Sequence, residues 1–148
     1  MTPGKFLLLF AGGVAEVAES LAAGVDAAGE RLLDQLYLPQ AHEELSRALQ
    51  GERPPPAGSL GIVETLGAAA ALLAADAACK AANVALGTLR LARGIGGKGF
   101  FTLGGDQHDV EAALEAAAGA VSPGAVVDVQ LVASPHPDLR GSILPRGR

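Results

Sequence analysis

Apolar positions along this chain fall into short blocks whose spacing switches between that of strands and that of helices. Phe6-Leu7-Leu8-Leu9-Phe10 is a continuous apolar run bounded by glycines, which predicts a buried strand. Val14, Val17, Ala18, Leu21, Val25 and Ala28 then recur at helical spacing, with Glu16, Glu19, Asp26 and Glu30 opposite, so an amphipathic helix follows. Residues 32–38 predict a second strand, stopped by Pro39, and residues 41–49 a short helix with Leu45 and Leu49 as its apolar contacts. Gly51-Glu52-Arg53-Pro54-Pro55-Pro56-Ala57-Gly58 breaks the pattern, because three prolines cannot continue a helix and favour an extended spacer.

A fuller unit follows that spacer. Leu60-Gly61-Ile62-Val63-Glu64-Thr65 predicts a strand, and residues 67–82 an alanine-rich helix containing Leu72, Leu73 and Asp76. Val84, Leu86, Leu89 and Leu91 mark the next strand, and a glycine-rich turn over residues 93–99 leads into another at residues 100–103. Asp106 is a candidate N-cap with Asp109 in capping-box position. Val110, Leu114, Ala117 and Val121 form the buried stripe of the helix it opens. Ser122-Pro123-Gly124 ends that helix, residues 126–132 predict a strand, and the tail from Pro135 is a short helix or extended segment. The order predicts an α/β sandwich with a four-stranded, mostly antiparallel sheet and flanking helices.

The two units share one pattern. The stretch from Pro3 to Gly13 returns loosely as Gly96 to Asp106, an offset of 93 residues that holds at Val17/Val110 and Leu21/Leu114. The offset becomes 94 at Asp34/Asp128, His42/His136 and Leu45/Leu139. A period of this length is a whole small domain rather than a solenoid unit. Residues 60–95 have no counterpart before Pro3. The chain therefore reads as one and a half tandem copies: residues 1–50 as the C-terminal half of a first domain, 51–58 as a Pro-rich linker, and 59–148 as a complete domain. A half-domain left alone would expose a sheet edge and an apolar face, which invites association.

Composition narrows the function classes. The chain has 148 residues, 49% hydrophobic but only 3% aromatic, and its apolar content is mostly alanine. Short side chains suit a flat layer in which helices approach a sheet closely. The net charge is −5, with Lys and Arg scattered singly, so nucleic acid is not an expected partner. The single cysteine, Cys79, excludes an internal disulfide and fits a reducing compartment. Residues 1–11 resemble a signal peptide only superficially, since the apolar run is shorter than the roughly 7–15 residues of an h-region and recurs inside the chain. No run approaches the roughly 18–20 apolar residues of a membrane span, so a soluble, cytoplasmic protein without a membrane partner is expected.

Candidate chemistry is sparse. Gly94-Ile95-Gly96-Gly97-Lys98-Gly99 satisfies G-x-G-x-x-G formally, but it links two expected strands instead of opening a helix. Gly99 after the lysine also breaks the P-loop pattern. His42, His108 and His136 have no Cys or carboxylate at metal-ligand spacing. Glu64 could act as a base, yet no acid or nucleophile accompanies it. No catalytic residue and no metal ligand is expected, so the chain does not read as an enzyme.

Several segments together resemble a known family. Gly61-Ile62-Val63-Glu64-Thr65, Ala74-Ala75-Asp76 and Lys80-Ala81-Ala82-Asn83-Val84 are similar, in that order, to the opening of a bacterial microcompartment (BMC) shell domain. Gly94-Ile95-Gly96-Gly97-Lys98 falls where that family has its pore loop. Gly104-Gly105-Asp106 with Val110 matches its second helix start, and Ser134-Pro135-His136 is similar to its closing Pro-Arg-Pro-His segment. With Pro3-Gly4-Lys5-Phe6-Leu7-Leu8, the chain resembles the tandem-domain, trimer-forming members, above all an iron–sulfur-carrying type from propanediol-utilising compartments.

The resemblance implies a shell protein: flat hexagonal discs that pack edge to edge around a set of enzymes, built in tandem members as pseudohexameric trimers. Its expected partners are its own copies, other shell proteins and encapsulated enzymes. By the resemblance, Gly94, Ile95, Gly96, Gly97 and Lys98, with Thr2, Pro3, Gly4 and Lys5 of the half-copy, ring a central pore for metabolites. Lys80 and Asn83 fall at the tile edge. Glycine amides would serve there as donors to polar or anionic metabolites, with Lys98 and Lys5 adding a bias toward anions. In the iron–sulfur type a cysteine precedes the Pro-Gly-Lys-Phe segment; here Thr2 stands there, and a hydroxyl is a poor ligand for a site that wants thiolate. Cys79 lies in a different helix, so no cluster is expected. Ser134 replaces the arginine of the closing segment, which weakens an edge contact there. A second reading is a small-molecule-binding regulatory α/β module, with an effector at the interface of tandem domains.

Overall fold

The two copies of the repeat fold differently, and the difference lies in their strands. In the computed structural model, which describes residues 5–51, 57–92 and 94–142, four strands build one sheet. They are β1 (Ser59–Thr65), β2 (Ala85–Leu91), β3 (Gly99–Gly105) and β4 (Val126–Val132). Their order is β2-β3-β1-β4, and every pairing is antiparallel. β1 is therefore held on both sides: Leu60 opposes Gly104 and Val132, and Ile62 opposes Thr102 and Gln130. This is the α/β layer expected of the complete copy.

The helices are α1 (Val14–Ala28), α2 (Glu43–Gln50), α3 (Ala68–Ala81), α4 (Gln107–Ala120) and α5 (Pro137–Ser142). α3 and α4 pack on each other and on the sheet, over Val63, Phe101 and Leu103, which are fully buried. Alanine makes this closeness possible: Ala71, Ala74, Ala75 and Ala78 of α3 and Ala113 and Ala117 of α4 are all shut off from solvent. Glycine does the same from the strand side. A Cβ on Gly61 would lie 2.6 Å from Leu103 Cδ1, and one on Gly99 would lie 2.8 Å from the Gly67 carbonyl. Asp106 does sit at the N-cap of α4, but its side chain makes no capping hydrogen bond. The acidic Asp109 in the first turn still complements the helix dipole.

Residues 6–10 and 32–38, which the apolar pattern predicts as strands, form none. Phe6 is 84% exposed, Leu8 60% and Leu33 76%. α1 forms as expected but buries no side chain. The cause is a missing neighbour. Backbone N–H and C=O groups of a strand need a ladder to satisfy them; in the complete copy β4 finds its ladder in β1, and β3 finds its ladders in β1 and β2. Residues 6–10 and 32–38 are the repeat counterparts of β3 and β4, with no counterpart of β1 between them. Leu36 and Leu38 still pack against the core. α2 seats Leu45 and Ala48 in it, against β2 and α3, while Leu49 stays outside.

Leu8 and Phe101 occupy equivalent positions of the repeat, yet they should respond oppositely to truncation. Phe101→Ala should cost about 3–5 kcal/mol in urea unfolding of the 148-residue chain, and Leu8→Ala should stay within about 0.5 kcal/mol of the parent. Equal losses at the two positions would contradict the exposure of residue 8.

Candidate functional site

β2 hands over to β3 through a turn closed by two backbone bonds. The Ala92 N–H donates to the Lys98 carbonyl (2.9 Å) and the Lys98 N–H to the Ile95 carbonyl (3.2 Å). Gly94, Gly96 and Gly97 take φ values of 75°, 68° and 91°, a region side chains resist, so glycine is needed here. A Cβ on Gly94 or Gly96 would meet nothing within 4 Å, so that backbone faces open space. Because the turn joins strand to strand, the strand-to-helix setting that dinucleotide binding requires is not present at this motif.

The half-copy reaches this turn. A Cβ on Gly97 would lie 3.0 Å from Lys5 Nζ, so the sequence-remote Lys5 stands directly beside the loop. Lys98 is engaged differently: its Nζ donates to Glu64 Oε1 at 2.8 Å, with both side chains partly exposed. Such a pair contributes only about 0–1 kcal/mol to stability, but it places a carboxylate against the Lys98 charge. Glu64, the candidate base, is thus the acceptor of a salt bridge. Thr2, Pro3 and Gly4 lie outside the described residues.

Lys80 sits in the last turn of α3, where a cation suits the helix dipole. Its Nζ donates to Asp76 Oδ2 at 2.6 Å; the lysine side chain is 44% exposed and the aspartate 6%. Asn83 is exposed just past the end of the helix. The other oxygen of Asp76 accepts from the His42 N–H at 2.7 Å, which ties the start of α2 to α3. Glu44, also buried, accepts from the Leu86 N–H through Oε2 (3.0 Å) and from Arg47 Nη1 through Oε1 (2.7 Å). Leu86 lies where the pairing of β2 with β3 slips, between Leu86 and Leu89. Side chains take over the ladder there: Glu44 serves Leu86, and Thr102 Oγ1 accepts from the Thr88 N–H at 2.9 Å. Sequence reasoning missed Glu44; its one signal was a carboxylate beside Leu45, four residues before Ala48, on the inward side of a short helix.

His42 and His136 play the same part in the two copies. Each accepts through Nδ1 from the N–H two residues on, Glu44 and Asp138 respectively, at 3.3 Å. His108 is exposed beside Asp109. Among the described residues no group of three or more His, Cys, Asp or Glu side chains could hold a metal ion. Cys79 is buried in α3, and burial first, then the charges of Glu44 and Asp76, pushes its thiol up to about 12.

Residues 59–135, the span that carries the sheet, α3, α4 and the glycine loop, match the family described as BMC domain. The chain belongs to this family of bacterial microcompartment shell proteins. It is 40% identical over 136 residues to the bacterial microcompartment shell protein PduT of Citrobacter freundii, covering 90% of this chain and 74% of that protein. Over 93 residues it is 43% identical to the shell protein PduA of Salmonella typhimurium, covering 60% of this chain and 93% of PduA. A crystal structure of a microcompartment protein from Desulfitobacterium hafniense superposes with a TM-score of 0.81 at 37% identity, covering 88% of this chain and 73% of that one. The likeness to PduT is longer than the BMC match, so it extends into the half-copy.

The Cys79 thiol gives a pH signature for this BMC core. Its folded pKa is raised from 9.0 to about 12, so the folded state keeps a proton that the unfolded chain releases. Its contribution is complete below about pH 9 and is lost as pH rises toward 12. Urea unfolding across pH 8 to 11 should show stability falling on the alkaline side, and Cys79→Ala should flatten that fall. A thiol that reacts freely with a disulfide reagent in the native chain at pH 8 would contradict its burial.

Proposed function

We propose that the chain is a structural tile of a microcompartment shell in the bacterial cytoplasm, assembling as a pseudohexameric trimer around a metabolite pore. Residues 1–50 form the C-terminal half of a first BMC domain, 51–58 the linker and 59–148 the complete second domain. The observation that carries this reading is Lys5 beside the Gly97 loop: the matching loop segments of the two copies meet within one chain, as neighbouring wedges around an opening must. A second observation supports ring closure. α2 docks head-to-tail onto β2 and α3 of the following copy, and α5 carries the same histidine cap with Leu139 exposed in the place of Leu45. Contacts of this head-to-tail kind close a ring when repeated.

Glycine amides and Lys5 then face the pore, and Lys80 with Asn83 meets the neighbouring tile or other shell proteins. The chain performs no chemistry of its own and acts by enclosing partner enzymes. The comparisons favour this shell reading over the regulatory module. We also infer that the tile carries no iron–sulfur cluster. Its one thiol is buried and held protonated, the opposite of what an iron ligand needs.

Tile formation is read by solution mass and electron microscopy of this chain and of one extended upstream. A trimeric particle that grows into flat sheets is expected. Lys80→Ala should keep the particle and lose the sheets, because its ammonium lies outside the core. A discrete dimer whose melting temperature rises with a metabolite would favour the regulatory module instead. Anaerobic reconstitution with iron and sulfide should leave less than about one iron per ten chains and no visible absorbance; stoichiometric iron would overturn the cluster-free reading.

A further inference from the structure

Lys98 is turned back onto the sheet, and the build of β1 is the reason. Val63 and Thr65 are fully buried, Val63 among the alanines of α3 and α4. Strand alternation therefore turns Glu64 to the opposite face of β1. There Glu64 is flanked in register by Phe100 of β3 and Asp128 of β4. Lys98 stands just ahead of β3 on a pinned backbone: its N–H donates to the Ile95 carbonyl, and its carbonyl accepts from the Ala92 N–H. From there its side chain crosses to β1, where Nζ lies 2.8 Å from Glu64 Oε1. Asp128 adds a second carboxylate beside Glu64 in register, and it accepts from the Val129 N–H and from Gln130 Nε2. Lys98 thus sits in a negative setting, whereas Lys5 stands exposed beside Gly97.

We propose that Glu64 sets the charge selectivity of the glycine loop: by holding Lys98 against β1, it leaves the loop with one outward cation, Lys5, in place of two. This deepens the reading of the loop as the frame of a pore and rests on that reading. Glu64 is a positioning residue, because it acts on a solute through Lys98. An ammonium held by a carboxylate presents little net charge over the short range that screening leaves. The loop amides then donate to the oxygens of neutral polar solutes and of anions alike, and anions gain only what Lys5 supplies. A freed Lys98 would add a second flexible ammonium beside Gly97, and small oxyanions would gain most from it. Selectivity is thus written into the first strand of the sheet and not into the loop sequence alone.

The test titrates inorganic phosphate into the 148-residue chain at low ionic strength and follows the amide NMR signals of Gly94, Gly96 and Gly97. Glu64→Gln should bind phosphate at these amides several-fold more tightly than the parent, and added salt should erase the gain. Lys98→Met combined with Glu64→Gln restores the parent's net charge and should cancel the gain, because the freed ammonium carries it. Glu64→Asp, with a carboxylate one methylene shorter, should fall between parent and Glu64→Gln. Glu111→Gln makes the same change in net charge on α4, which begins at the other end of β3, and should leave phosphate binding as in the parent. Glu64→Gln binding no tighter than the parent would overturn the proposal, as would a gain that survives Lys98→Met or appears equally in Glu111→Gln. Trimers and sheets are read by mass and microscopy, so the tile reading and the selectivity proposal fail on different measurements.

Discussion

Pairing of β1 on both of its edges is the constraint on which the sheet depends. β3 and β4 do not touch: β4 has its whole ladder on β1, and β3 lies between β1 and β2. The first repeat segment gives the contrast within the same molecule. Residues 6–10 and 32–38 repeat the apolar blocks of β3 and β4, lack the centre, and remain irregular and exposed. An apolar run fits a pleated, half-buried surface only when that surface exists. Strand propensity here is a property of the assembled layer.

The half-copy is nevertheless tied to the complete one, by Leu36, Leu38, Leu45 and Ala48 at the core and by two buried carboxylates. Burying a charge is costly unless donors surround it. Asp76 receives the His42 N–H and the Lys80 ammonium, and Glu44 receives the Leu86 N–H and the Arg47 guanidinium. Each carboxylate therefore does two things at once. Asp76 anchors α2 and holds Lys80 at the end of α3; Glu44 anchors α2 and completes the irregular edge of β2. Removing either would loosen the junction between the copies, not merely one side chain.

Most of the complete copy was legible in the sequence, because its strands and helices follow periodicity and its turns follow glycine and proline. Residues 60–65, 100–103 and 126–132 read as strands and are strands. The alanine-rich helices read as close-packing elements, and Ala71, Ala74, Ala113 and Ala117 are fully buried. What stayed hidden was non-local. Nothing in residues 6–10 announces that their ladder partner is missing, since the same run makes a strand 93 residues later. Glu44 was hidden for the same reason: its partner, the Leu86 N–H, is 42 residues away and is left over only because β2 slips against β3. At the candidate site, the glycines of the turn were visible, whereas the Glu64–Lys98 pair needed the register of β1 against β3 to become so.

Charge at the glycine loop has to act at short range. The chain as a whole is negative by five charges, which would disfavour anions if the field carried far. Screening limits it to about 8 Å at physiological ionic strength, so the potential at the loop is decided by the groups next to it. Lys98 sits against Glu64 and presents little net charge there. Lys5 stands exposed beside Gly97, where the backbone takes positive φ and positions 94 and 96 face open space. Any electrostatic bias at the loop is therefore local. It belongs to the backbone of a tight turn and to one lysine, Lys5, that the first repeat segment brings beside Gly97.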